Sequence, residues 1–271
     1  LEALVVQCEA KVLEGEDKLR REAEEKVLQE AARARNEVLY EACKEGVLAE
    51  VCTALEVDGV NVNYRGDGGR TPLYWASTNG HVDVVRHLLS VKGIQVNQAR
   101  DDGLTALLMA SQEGHVDVVR LLLGVEGVEV NQAANDGGTA LIIASENGHV
   151  EVVRLLLGVE GVEVNQADND GVTALYVASE NGHVDVVRLL LGAEGVQVNQ
   201  ARDDGVTALF IASREGHVEV VRLLLGVEGV KVNQARDDGV TALDIASGFD
   251  LTIVRLLTDH QNLQYSSKYS N

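Results

Sequence analysis

Five histidines, His81, His115, His149, His183 and His217, recur at an interval of 34 residues, each directly after a glycine. Evenly spaced imidazoles raise two chemistries, a metal site and a proton relay. Units stacked at helix-packing distance hold equivalent atoms about 8–10 Å apart, whereas zinc needs nitrogens about 2 Å from one ion. The histidines therefore read as polar residues that bond to exposed backbone at a turn between helices. The acidic pairs Asp101/Asp102, Asp203/Asp204 and Asp237/Asp238 look like carboxylate dyads, but each precedes a turn glycine, where neither burial nor a cavity is implied. As a row, Asp67, Asp102, Asp136, Asp170, Asp204 and Asp238 form an acidic ladder. Arg65, Arg100, Arg202 and Arg236 interrupt it, and Ala134 and Asp168 replace them in the two middle units, so its centre is most negative. No phosphate-binding loop, H-E-x-x-H, G-x-S-x-G or Rossmann glycine pattern occurs. The expectation is a protein without catalysis, metal or cofactor. Cys8, Cys43 and Cys52, odd in number and without C-x-x-C spacing, read as idle thiols in a reducing compartment.

The elements that position these residues belong to an array. Thr71, Thr105, Thr139, Thr173, Thr207 and Thr241 keep the same 34-residue interval, and a period of about 20–50 residues marks one supersecondary unit stacked on copies of itself. In residues 135–165, Asp136-Gly137 reads as a tight turn. Thr139 caps a short helix with the apolar body Leu141, Ile142, Ile143 and Ala144, which Gly148 breaks. His149 opens a second helix whose Val152, Val153, Leu155 and Leu156 make an apolar stripe, and Gly158 ends it just past its C-terminus. Residues 159–165 alternate β-branched residues and lead into the next turn, as a hairpin-like finger.

A 34-residue period also suits the tetratricopeptide repeat, which has two longer helices and no hairpin. Here Thr71-Pro72-Leu73-Tyr74-Trp75-Ala76 is followed by Gly80-His81, Val84-Val85-Arg86 and Leu88-Leu89, with matches from Thr105-Ala106-Leu107 through Thr241-Ala242-Leu243. In these motifs each unit resembles an ankyrin repeat. Alanine stands for the family's proline in all units but the first, its motif histidine is Tyr, Leu, Ile, Tyr, Phe or Asp, and the loop carries one extra residue. The first two departures weaken the helix start typical of the family.

The resemblance implies an all-α fold with short β-hairpin fingers, a right-handed ankyrin-repeat α-solenoid with an N-terminal helical extension. Residues 1–35 form the extension, 36–63 an N-terminal capping half-repeat, 64–235 five full repeats and 236–260 a C-terminal capping repeat whose segment Ser247-Gly248-Phe249-Asp250-Leu251 has lost the histidine. Residues 261–271 read as a disordered tail. The extension is one long helix or, broken at Gly15, a helical hairpin. Val5, Val12 and Leu19 are seven apart, but Gly15 and Glu22 make a poor coiled-coil seam. Its simplest role is to cover the end of the stack; oligomerisation is the alternative.

Low aromatic content, 3% within a 45% hydrophobic chain of 271 residues, suits short helices rich in Ala, Val and Leu. A net charge of -20 repels phosphate backbones and anionic lipids, so nucleic-acid and membrane partners are not expected. No run approaches the roughly 20 apolar residues that span a bilayer. The start lacks the basic region and cleavage site of a signal peptide, so a soluble cytoplasmic protein is expected. Leu1 in place of methionine reads as a fragment or processed form.

In the family, residues after the finger and at the end of the first helix face a concave groove that binds partners. The resemblance thereby selects Arg70, Leu104, Val172 and Val206 after the turn, Tyr74, Leu108, Tyr176 and Phe210 on the first helix, and Glu113, Glu146, Glu180 and Arg214 at its end. The turn residues Asp102, Asp136, Asp170, Asp204 and Asp238 complete the set. Tyr74, Tyr176 and Phe210 are candidate aromatic anchors, or else packing residues between units. The expected function is recognition of a protein or peptide, with a basic partner favoured by the acidic field. The alternatives are an assembly subunit that docks through residues 1–35, and an engineered repeat scaffold. Near-identity of the central units suits such a scaffold and recent duplication equally.

Overall fold

The computed structural model describes the backbone of residues 2–246 and 251–269, with side chains from 18–246 and 251–263. Its helices are α1 (Glu2–Glu45), α2 (Leu48–Leu55), α3 (Pro72–Thr78), α4 (Val82–Ser90), α5 (Ala106–Gln112), α6 (Val116–Leu123), α7 (Ala140–Glu146) and α8 (Val150–Leu157). They continue as α9 (Ala174–Glu180), α10 (Val184–Leu191), α11 (Ala208–Arg214), α12 (Val218–Leu225), α13 (Ala242–Ala246) and α14 (Leu251–Tyr269). From α3 to α12 every helix is 7 to 9 residues long. That is well below the roughly 12–15 residues an isolated helix needs in water, so the helices persist through stacking. Odd-numbered helices form one row and even-numbered helices a second. Between the rows lie buried Val152, Val153 and Leu156 and their counterparts in each unit.

Local chemistry sets each boundary. The hydroxyls of Thr71, Thr105, Thr139, Thr173 and Thr207 accept from the backbone N–H three residues on, at 3.0 to 3.3 Å. Helix starts are thus capped where alanine replaces proline. At the end of α7, Gly148 has φ of 71°, His149 N–H bonds to Ala144 O at 3.0 Å and Gly148 N–H to Ser145 O at 3.4 Å. This is the paired closure that favours glycine past a helix end. Gly158 differs from expectation: its φ is -81° and its conformation helical, and the positive φ falls on Gly161.

The fingers also differ in detail. The segment at 159–165 is a pair of successive turns, Val162 N–H to Val159 O and Gln166 N–H to Glu163 O, so its amides are not free for a ladder. The pairing that remains is narrow, with isolated antiparallel bridges Ala167–Thr173, Ala201–Thr207 and Ala235–Thr241. An asparagine series, absent from the sequence reading, holds these loops in step. The side-chain amides of Asn63, Asn97, Asn131, Asn165 and Asn199 donate to the carbonyls of Gly93, Gly127, Gly161, Gly195 and Gly229 in the next unit, at 2.7 to 2.8 Å. Their carbonyls accept from a backbone N–H two residues beyond that glycine, at 2.7 to 3.0 Å.

Both ends depart from the sequence reading. α1 runs unbroken through Gly15 to Glu45; a helical glycine costs about 1 kcal/mol relative to alanine, and the Glu, Lys, Leu and Ala around it favour helix. Its last part packs as the first helix of the array through Leu39, Ala42 and Cys43. Burial also pushes the Cys43 thiol up to about 12. Residues 18–31 are exposed, Leu19, Val27 and Leu28 to 65–68%, so this stretch does not cover the stack. At the other end α14 continues to Tyr269 where a disordered tail was expected from 261. Ile253 and Leu257 anchor that helix in the core, and extension of a nucleated helix is easy. The shortened motif at 247–250 lies outside the described residues.

Candidate partner-binding flank

The histidines join units. Nε2 of His81, His115, His149, His183 and His217 lies 2.8 to 3.0 Å from the carbonyl oxygens of Lys44, Thr78, Gln112, Glu146 and Glu180 in the preceding unit. A carbonyl only accepts, so Nε2 donates. The expected backbone partner is therefore across the unit boundary, not within the same turn. The glycine before each histidine makes room: a Cβ on Gly148 would stand 2.8 Å from His183 Cε1. A Cβ on Gly216 would meet nothing within 4 Å among the described residues.

The accepting carbonyls are orphans at the C-terminal ends of first helices. Their side chains form a row in register: Lys44, Thr78, Gln112, Glu146, Glu180 and Arg214. Neighbours in this row touch, as Arg214 pairs with Glu180 at 3.4 Å. The row runs from a cation through two neutral residues to two carboxylates and a second cation.

The fingertips lie alongside. Asn135 N–H bonds to Asp102 O and Asn169 N–H to Asp136 O, both at 2.9 Å, so the tips are stitched in series. Asp67 is one residue out of register with Asp102, and Gly68 occupies the equivalent site. In three turns the ladder is internally neutralised. The guanidinium groups of Arg100, Arg202 and Arg236 grip Asp102, Asp204 and Asp238 of the same turn. Those hydrogen bonds hold all three carboxyls below the usual range, with Asp238 down to about 2. The middle turns have only backbone donors: Asp136 accepts from Gly138 N–H at 2.9 Å, and Asp168 from the N–H groups of Asp170 and Val172.

The arginines follow a rule that connects the fingers to the helices. Arg100, Arg202 and Arg236 each lie over an aromatic ring 26 positions earlier, Tyr74, Tyr176 and Phe210, at 5.6 to 5.7 Å. Where that position is Leu108 or Ile142, the turn has Ala134 or Asp168 instead. Cation–π attraction supplies the reason for the pairing. The acidic centre of the flank thus follows from aliphatic packing underneath it.

Of the candidate residues, Tyr74, Leu108, Tyr176, Val206 and Phe210 are buried. They pack between units and under arginines, so the aromatic anchors do not offer free faces. Arg70, Asp102, Leu104, Val172, Glu180 and Asp204 are half-buried, while Glu113, Asp136, Glu146, Asp170, Arg214 and Asp238 are exposed. Sequence reasoning missed Lys44, which belongs to the same row but sits in the long first helix. The 34-residue offset from Thr78 was the available signal.

Short helix pairs, stitched fingertips and an open charged flank define a solenoid repeat protein. The model of the family described as ankyrin repeats (3 copies) matches residues 16–100, 39–134, 107–202 and 192–268, and the chain belongs to that family. It is similar to the crystal structure of the human ASB11 ankyrin repeat domain, with 30% identity, a TM-score of 0.69, and coverage of 82% of this chain and 96% of that one. Among curated proteins, no sequence matches. Ankyrin repeats are generally protein–protein interaction modules, typically without enzymatic activity. No helix among the described residues is long and apolar enough to cross a membrane.

Proposed function

We propose that the array binds a basic protein segment across the middle of this flank. The observation that carries the reading is the coincidence of two rows at one place. Glu146 ends its first helix beside the turns where Asp136, Asp168 and Asp170 have no arginine over them, and Glu180, next in the row, is shared with Arg214. Asp102, Asp204 and Asp238 are instead held by the arginine of their own turn. Fixed carboxylates on short, capped helices are preorganised, and this electrostatic complementarity mainly raises the association rate.

A lysine-rich peptide of about ten residues, titrated against the array at increasing ionic strength, tests the reading. Association is expected to slow by roughly tenfold or more as the Debye length shrinks from about 30 Å to 8 Å. Rates independent of salt would contradict it.

A further inference from the structure

The N-terminal end of the same flank has the opposite character. Trp75 is half-buried in the position that Met109, Ile143, Val177 and Ile211 take in later units. Tyr40 and Tyr74 meet its ring edge-to-face at 6.4 and 5.7 Å. Two cations lie over the indole, Lys44 Nζ at 5.5 Å and Arg70 Cζ at 5.3 Å from the centroid. Lys44 comes from the helix-end row and Arg70 from the finger, so both edges of the flank converge here.

The two cations differ from the others on the flank. Arg65 is paired with Asp101, Arg100 with Asp102, Arg202 with Asp204, Arg214 with Glu180 and Arg236 with Asp238. Arg70 donates to the backbone carbonyl of Asp67 at 3.1 Å and has no carboxylate partner among the described residues. The partner of Lys44 is Glu41, on its own helix and exposed, a pairing of little strength. The indole N–H of Trp75 is buried and has no acceptor among the described residues. Two cations against one ring thus face a single paired carboxylate, the exposed Glu41, which leaves this corner with an excess of positive charge.

We infer that this corner receives a carboxylate of the bound protein segment, an inference that rests on the proposed basic segment and adds a second, acidic contact to it. Arg70 supplies a planar fork for the carboxylate and Lys44 a point charge. Lys44 is three units from Glu146, and Arg70 in the corner is two units from Asp136, about 16–20 Å at helix-packing spacing. An extended chain covers that distance in about five or six residues. The segment therefore carries an acidic residue about six positions from its basic cluster.

The chain has one tryptophan, so Trp75 emission reports on the corner alone. The probe is a peptide with one glutamate, about five Gly/Ser residues and a Lys-Arg-Lys end, compared with the same peptide bearing glutamine. The glutamate probe is expected to bind about three- to tenfold tighter and to shift Trp75 emission in a saturable way. Arg70→Gln removes both differences; circular dichroism confirms its fold. Equal affinities, or an emission that ignores the glutamate, overturn the inference. If neither probe binds, the basic-segment reading fails. The corner is then judged on Trp75 emission with an acetylated Glu-Gly-Glu peptide, where no saturable change overturns it.

Discussion

Phe210→Ala is expected to destabilise the array by about 3–5 kcal/mol. Phe210 is 1% exposed and packs with Tyr176, Val206 and Ile211 in a cluster on the flank side of the odd-numbered helices. Truncation opens a cavity there and removes the ring beneath Arg236. Because each unit contacts only its neighbours, the damage is local first. Amides from about residue 207 onward lose exchange protection at lower denaturant than those of α3 to α6. A stability change under 1 kcal/mol, measured by urea unfolding, would show that Phe210 is not a packing residue. Lost binding in this variant reports unfolding and not a lost contact.

The second large effect concerns Gly137. It has φ of 88°, and a Cβ there would stand 2.6 Å from Asn169 N and 2.7 Å from Asp168 Cα, backbone atoms of the next finger. Gly161 has φ of 82°, and its Cβ would meet nothing within 4 Å. Gly161→Ala therefore incurs only the left-handed backbone cost, about 1–2 kcal/mol. Gly137→Ala adds a backbone collision, roughly another 1–3 kcal/mol, and breaks the stitch between Asn169 N–H and Asp136 O. Urea unfolding of the pair separates the two terms. Equal losses would mean that neighbouring fingertips do not bear on each other.

The repeat fold was legible because the features that define it are local. Thr139 caps, Gly148 closes a helix and Val152, Val153 and Leu156 form a stripe, all within one unit of sequence. What escaped is chemistry between units. The partner of His149 is Gln112 O, 37 positions back, and the partner of Asn131 is Gly161 O, 30 positions on. Neither offset shows in a single repeat. The arginines of the fingers looked like interruptions of an acidic strip, and only the 26-residue offset to a ring explains them. Periodicity at 3.6 residues is also blind to whether a first-helix position faces outward or toward the next unit. Periodicity therefore leaves Tyr74, Tyr176 and Phe210 open between anchor and packing roles, and their burial favours packing. At the N-terminus, helix propensity outweighed a single glycine, and α1 continued where a break had been one of two options.

Unit-by-unit neutralisation, with the lysine-rich peptide's affinity measured by titration calorimetry, tests whether recognition falls on the open flank at its arginine-free centre. Asp136→Asn with Glu146→Gln is expected to weaken binding about tenfold, two charge-assisted contacts' worth. The same number of changes on the opposite, even-helix side, Glu151→Gln with Asp185→Asn, is expected to leave it within twofold. Equal losses from both pairs would mean that only net charge matters, and the flank would have no special role.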